Sequence, residues 1–188
     1  MPEELFDVVN ENNIVIGQEL RSIVHQRGDW HRGTSIFLFT PDGKLLVQKR
    51  KADKDRFPSA LDSSVGEHVK AGEDYAHAAV RGLREELGIS GIALRPLLEF
   101  VSANGNNDNE ISQLFEGMVD PNAVRFDPVE IERVEYHTLT ELYDMVLARQ
   151  VSFTRWFERL IPWYLGKPTD LRVRKIFEKP GFSKKPGF

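Results

Sequence analysis

One segment constrains the chain more than any other. From Asp74 to Leu87, Tyr75, Ala79, Leu83 and Leu87 recur every four residues with Ala76 and Val80 beside them, which predicts a helix with one apolar face. Gly88 follows as a stop, because glycine adopts the left-handed turn that ends a helix without a Cβ penalty. A helix apolar along one stripe is stable only against a second layer, so the rest of the chain must supply that layer.

The flanking sequence supplies strands. Phe6–Val9 and Ile14–Ile16 enclose a polar run as a short hairpin. Ser35–Thr40 (SIFLFT) and Lys44–Gln48 (KLLVQ) are joined by Pro41-Asp42-Gly43, a turn in which Pro presets φ and Gly supplies a positive one. Leu97–Val101, Ile111–Val119 and Ile131–His137 are further strands, the first two linked by the polar Ala103–Glu110. Thr138–Leu147 reads as a helix opened by a Thr138/Glu141 capping pair, and Phe153–Leu165 as a helix interrupted at Pro162. No serial βαβ repeat appears. The expected fold is α+β, an α/β/α sandwich with a mixed β-sheet between helices. With 188 residues, 40% of them apolar, one cored domain fits residues 1–168. Residues 169–188, which hold PGF at Pro180–Phe182 and Pro186–Phe188, read as a flexible tail.

Composition excludes several chemistries. The chain has no cysteine, so disulfides, Cys-ligated zinc, iron–sulfur clusters and thiol nucleophiles are ruled out. Lys and Arg number 25 against 29 Asp and Glu, a net charge of −4, without the basic excess of a nucleic-acid binder. No apolar run approaches the ~18 residues of a membrane span, and the acidic start MPEELFD lacks a secretory pattern. The expectation is a cytoplasmic protein without nucleic-acid or membrane partners, acting as a monomer or homodimer.

The chemistry concentrates in Gly66–Ile89 (GEHVKAGEDYAHAAVRGLREELGI), where a glycine-containing loop leads into the helix. Its last turns carry Arg81, Arg84, Glu85 and Glu86. Adjacent carboxylates near a helix C-terminus oppose the macrodipole and repel each other, at about 0.3–1 kcal/mol each. Either a bound cation or the neighbouring arginines, with Arg81–Glu85 paired at i,i+4, resolves that cost.

The spacing resembles the Nudix box, which is a Gly, five residues, a Glu, seven residues, then Arg-Glu-apolar-x-Glu-Glu-x-Gly-apolar. Glu73 falls at the first Glu, Arg81 at the Arg, and Leu83, Glu85, Glu86, Gly88 and Ile89 at the remaining positions. The resemblance implies the mixed sheet between helices, a Mg²⁺ or Mn²⁺ ion held by Glu85 and Glu86, and structural roles for Glu73, Arg81 and Gly88. Two positions depart from the pattern. Glu67 stands where the box has its Gly, and Gly82 stands where it has the Glu after the Arg. Gly82 removes a carboxylate one turn before Glu86, and it costs about 1 kcal/mol of helix stability relative to Ala. On that account Gly82→Glu is expected to raise both helix stability and metal affinity.

From about Phe6 to Trp163 the chain also resembles the isopentenyl-diphosphate isomerase-like branch of the Nudix superfamily. The likeness includes His25, Trp30-His31-Arg32, LLVQKR, Lys54, Phe57-Pro58, Asp108–Glu110 and Trp156. It implies a metal held by His25, His31, His68, Asp108 and Glu110. It also implies a diphosphate held by Arg50 and Lys54, a role for Glu86 at a second metal, and Trp156 as an aromatic cap. The cysteine that an isomerase needs corresponds to Gly66, so isomerisation is not expected. His77 and His137 read as structural.

The expectation is thus a Nudix hydrolase cleaving a diphosphate linkage in a small molecule of the nucleoside diphosphate-X type, with Glu86 and Glu110 catalytic. Glu110 is the first candidate for the water-activating base, followed by Glu130, Glu132 and Glu135. The alternatives are a Nudix-fold binding or regulatory protein of low activity, or an isomerase-like protein lacking the catalytic Cys.

Overall fold

The computed structural model describes residues 3–54, 56–103 and 107–181. A first ribbon pairs β1 (Leu5–Val9) antiparallel with β2 (Val15–Leu20), and a short helix, α1 (Arg21–Arg27), closes on Gly28 at φ 74°. The main sheet begins with β3 (Trp30–Phe39) and β4 (Leu45–Arg50), then the short β5 (Leu61–Asp62) and β6 (Val65–His68). After α2 (Tyr75–Leu87) come β7 (Arg95–Ala103), β8 (Asn109–Met118) and β9 (Ile131–His137). The chain ends in α3 (Leu139–Ala148), α4 (Arg155–Tyr164) and β10 (Arg172–Ile176).

The strand order is β10-β7-β8-β3-β4-β5, with β6 also on β3 and β9 also on β4, in a sheet of 8 strands. β3 is its centre. It runs parallel to β8 over its whole length, from Trp30 beside Asn109 to Phe39 beside Met118, while β4 and β6 pair with it antiparallel. The sheet is therefore mixed, as expected. Period-two alternation along β3 makes both cores: Ile36 and Leu38 pack with Ala79, Leu83 and Leu87 of α2, whereas Phe37 and Phe39 pack with Leu142 of α3 and Phe157 and Leu160 of α4. The layers form the α/β/α sandwich.

Local signals explain the ends of the elements. Asp74 caps α2 by accepting the His77 N–H at 2.8 Å, and Gly88 closes it at φ 66°. Thr138 and Glu141 form a reciprocal capping box on α3. Pro162 does not interrupt α4. It falls near the helix end, where one missing N–H leaves the helix intact as far as Tyr164. The short elements α1, β5 and β6 carry too few apolar residues to show a period, and they owe their form to neighbours. β10 (RVRKI) is an exposed, charged edge strand paired with β7, inside the stretch read from sequence as tail. Residues 182–188, including Phe182 and the second PGF, lie outside the described residues. No helix among the described residues is long and apolar enough to cross a membrane.

Candidate active site

Three imidazoles meet at one end of the sheet. His25 comes from α1, His31 from β3 and His68 from β6, and one ring nitrogen of each lies within 4.8 Å of the others. His25 Nε2 and His31 Nε2 are 3.3 Å apart. β8, in register with β3, brings Glu110 beside His31, so that Glu110 Oε1 lies 3.7 Å from His31 Nε2 and 3.6 Å from His68 Nε2. Asp108 Oδ1 is 3.8 Å from His25 Nε2. Gly33 makes room, since a Cβ there would sit 2.5 Å from Glu110 Oε2. Phe6 of β1 packs on all three imidazoles with ring centroids 4.9 to 6.1 Å away, which fixes their orientation and excludes water from that side.

The donor set suits a divalent cation. His31 Nδ1 lies 3.1 Å from the Asp29 carbonyl and donates to it, which leaves the Nε2 lone pair facing His25 Nε2. Two groups of three, His25–His31–His68 and His31–Asp108–Glu110, share His31, and the two carboxylates favour a positive charge at that junction. Burial and the facing His68 and His31 push the His25 pKa down to about 3, so its imidazole is neutral and free to ligate. Burial works against a charge on His31 too, yet Glu110 outweighs it and raises that pKa. Glu110 is itself held well below the carboxylate range by His31 and His68, in spite of its burial. Asp108 is pushed up by burial and by Glu110, with Arg56 offsetting part of the effect through an ion pair.

The same cavity, of about 360 Å³, is lined on its other side by Arg50, Lys54, Arg56 and Trp156. The charged run 49–56, whose composition alone suggests a solvated loop, in fact points three cations inward. Arg50 lies with Nη1 3.5 Å from Asp62 and donates from Nη2 to the Arg56 carbonyl at 3.1 Å, while its Nε is buried without a hydrogen-bond partner. Lys54 pairs with Glu130. Trp156 stands edge-on to Phe57 at 5.2 Å and donates its indole N–H to Asp62 Oδ1 at 2.8 Å. Asp62, at 0% exposure, also accepts from Thr154 Oγ1 at 2.8 Å and from the Ser63 N–H at 2.7 Å.

On α2, Arg81 chelates Glu73 through Nε at 3.0 Å and Nη2 at 2.8 Å, and it also donates to the His68 carbonyl at 2.8 Å, tying the loop to the helix. Glu85 turns outward, 44% exposed, and pairs with Arg81 at 3.3 Å and Arg84 at 3.5 Å. Glu86 turns inward, where it accepts from Gln48 Nε2 at 3.1 Å. Burial pushes its pKa well up, and the nearby Glu67 carboxylate adds to the rise. Among the described residues, Glu85 and Glu86 belong to no three-ligand group as close as the imidazole cluster. Glu132 and Glu135 pair with Arg133 and do not line the cavity. Sequence reasoning missed Phe6, Arg56 and Asp62. Arg56 was visible only as part of the charged run, and an aspartate in SALDSSV carries no spacing signal.

The site thus sets metal-type ligands and basic side chains in one cavity, on a mixed sheet between helices. The NUDIX domain family matches residues 29–157, and the chain belongs to that family. It is 41% identical over 152 residues to a Nudix hydrolase of Deinococcus radiodurans, covering 80% of this chain and 88% of that protein. It is 32% identical over 179 residues to an isopentenyl-diphosphate Delta-isomerase of Aromatoleum aromaticum, covering 92% of this chain and 98% of that one. The crystal structure of DR0079 from Deinococcus radiodurans superimposes with a TM-score of 0.74 at 31% identity, covering 85% of this chain and 98% of that one. Both branches named by the sequence resemblance are thus among its relatives.

Proposed function

We propose that this chain hydrolyses a diphosphate linkage in a small molecule of the nucleoside diphosphate-X type, in a reaction dependent on Mg²⁺ or Mn²⁺. The observation that carries this reading is that His25, His68, Asp108 and Glu110, clustered around the buried His31, share one cavity with Arg50, Lys54 and Arg56. The first five, and Glu86 on the adjacent helix, are the residues that would hold divalent ions. Such ions, when bound, supply positive charge to the phosphate oxygens and acidify a water.

The chain's own groups do the rest. Arg50, Lys54 and Arg56, which line the cavity, neutralise and orient the diphosphate. Trp156, held through its indole N–H by Asp62, walls the part of the cavity where the leaving group lies. Glu110, whose Oε1 faces His31 and His68, is the carboxylate placed to accept the proton of the attacking water at Oε2. Isomerisation is not proposed, because Gly66 offers no acid. A Cβ there would meet nothing nearer than 3.9 Å, so the acid is missing by choice of residue and not by crowding. A cytoplasmic monomer or homodimer accords with this reading.

The test is a panel of nucleoside diphosphates, nucleotide sugars, coenzyme esters and prenyl diphosphates, assayed with Mg²⁺, Mn²⁺ or EDTA for the phosphomonoesters that cleavage of the diphosphate linkage produces. Metal-dependent cleavage is expected, with Glu86→Gln lowering turnover by at least ~10²-fold. Activity indifferent to both EDTA and Glu86→Gln overturns the reading. A second reading is favoured by Gly82, which leaves α2 without the box carboxylate. In that case the protein is a Nudix-fold binding or regulatory protein that binds such a ligand and turns little of it over.

A further inference from the structure

The two departures from the box meet in space. α2 crosses β6 so that Gly82 lies directly over Glu67. A Cβ at position 82 would stand 3.1 Å from Glu67 Cβ, 3.4 Å from Glu67 Cγ and 2.9 Å from Val65 Cγ1. The space of a side chain at 82 is thus filled by the stem of Glu67. A carboxylate at 82 and one at 67 exclude each other in this packing, and the sequence departs from the box at both positions together.

Glu67 is oriented for a purpose of its own. Its Oε1 accepts the His68 N–H at 2.9 Å and its Oε2 meets Arg81 Nη1 at 2.9 Å, which leaves further lone pairs on both oxygens. It lines the cavity, as Glu85 does not. Arg81 is shared by Glu67, Glu73 and Glu85, so one guanidinium faces three carboxylates, with the inward-turned Glu86 beyond them. That surplus of negative charge fits a cation of the hard, oxygen-preferring kind.

We infer that the box Gly and Glu have exchanged places across the α2–β6 contact, so that Glu67 supplies from the strand the metal carboxylate that Gly82 cannot supply from the helix. This rests on the reading of metal-dependent hydrolysis given above. Glu67 and Glu86 are then the carboxylate pair for the helix-side cation, and Glu85 is a surface partner of Arg81 and Arg84.

The test uses Mn²⁺ as the probe on the full chain. Anomalous scattering from Mn²⁺-soaked crystals locates each ion, and calorimetry gives the affinities. In the wild type, an ion is expected within coordination distance of both the Glu67 and the Glu86 carboxylates. Glu67→Gln, which keeps the stem and the packing, is expected to remove that ion and weaken the site at least tenfold. Glu73→Gln also takes a carboxylate from Arg81, yet it should leave the affinity within threefold. The double exchange Glu67→Gly with Gly82→Glu should restore the ion, and if that variant does not fold, Glu67→Gln decides alone. An ion at Glu86 that persists in Glu67→Gln overturns the exchange while leaving the hydrolase reading intact, as does an equal loss in Glu73→Gln. An ion found only at the imidazoles also overturns it. If no ion binds at either place, the metal-dependent reading falls with it.

Discussion

At Asp62, one fully buried carboxylate gathers donors from the Ser63 backbone, Thr154 and Trp156, with the Arg50 guanidinium alongside. Removing it leaves these donors unpaired in a dry interior. Asp62→Ala is therefore expected to cost about 3 kcal/mol, read by chemical denaturation. A loss under about 1 kcal/mol would show that the donors find other partners. Glu86 makes a prediction of opposite sign. Its folded pKa lies well above the usual carboxylate range, with burial the main cause. Such a group stabilises the fold below its unfolded pKa, and that contribution is lost as pH rises through the folded value. In EDTA, Glu86→Gln should match the wild type near pH 4.5 and exceed it in Tm by several degrees at pH 8. Equal melting at both pH values would remove the strain assigned to this carboxylate. Spacing alone picked out Glu86. Nothing in the sequence picked out Asp62, because its partners lie up to 94 residues away.

The long elements were legible because each satisfies its own period. Ile131–His137 appears as expected, and α2 starts and stops at the signals of Asp74 and Gly88. The strands β3, β7 and β8 extend beyond the apolar runs that announced them, since ladder hydrogen bonds continue through polar residues once a neighbour is in register. Gly82 shows how packing overrides propensity. On helix propensity, Ala at 82 should help by about 1 kcal/mol. The 2.9 Å approach of Val65 Cγ1 reverses the sign. Gly82→Ala is expected to lose a net 1–2 kcal/mol in urea denaturation, as overpacking does, and the same crowding applies to Gly82→Glu. A stabilised Gly82→Ala would mean that the two elements separate without cost.

Across the whole molecule, the imidazole–carboxylate cluster draws on α1, β3, β6 and β8, with Phe6 of β1 as its wall. A cation bound there is linked to the folding of the entire sandwich. Mn²⁺ at about 100 times its Kd should add about 2.7 kcal/mol and raise Tm by roughly 5–10 °C in a single transition, reversed by EDTA. A double variant, His68→Ala with Glu110→Gln, should lose most of that shift, and an undiminished shift would place the ion elsewhere. The sequence by itself determined the layers, because alternation along β3 and the four-residue recurrence on α2 are local properties that hold in any fold containing them. It also carried the box spacing that names the family. What shares the cavity, and which way each carboxylate turns, was decided only by tertiary structure. The parallel register of β3 with β8 sets Glu110 beside His31, and the close crossing of α2 over β6 fills the space above Gly82 with Glu67. Those contacts join residues far apart in the chain, and side-chain position at such a contact depends on both partners at once, which no local pattern encodes.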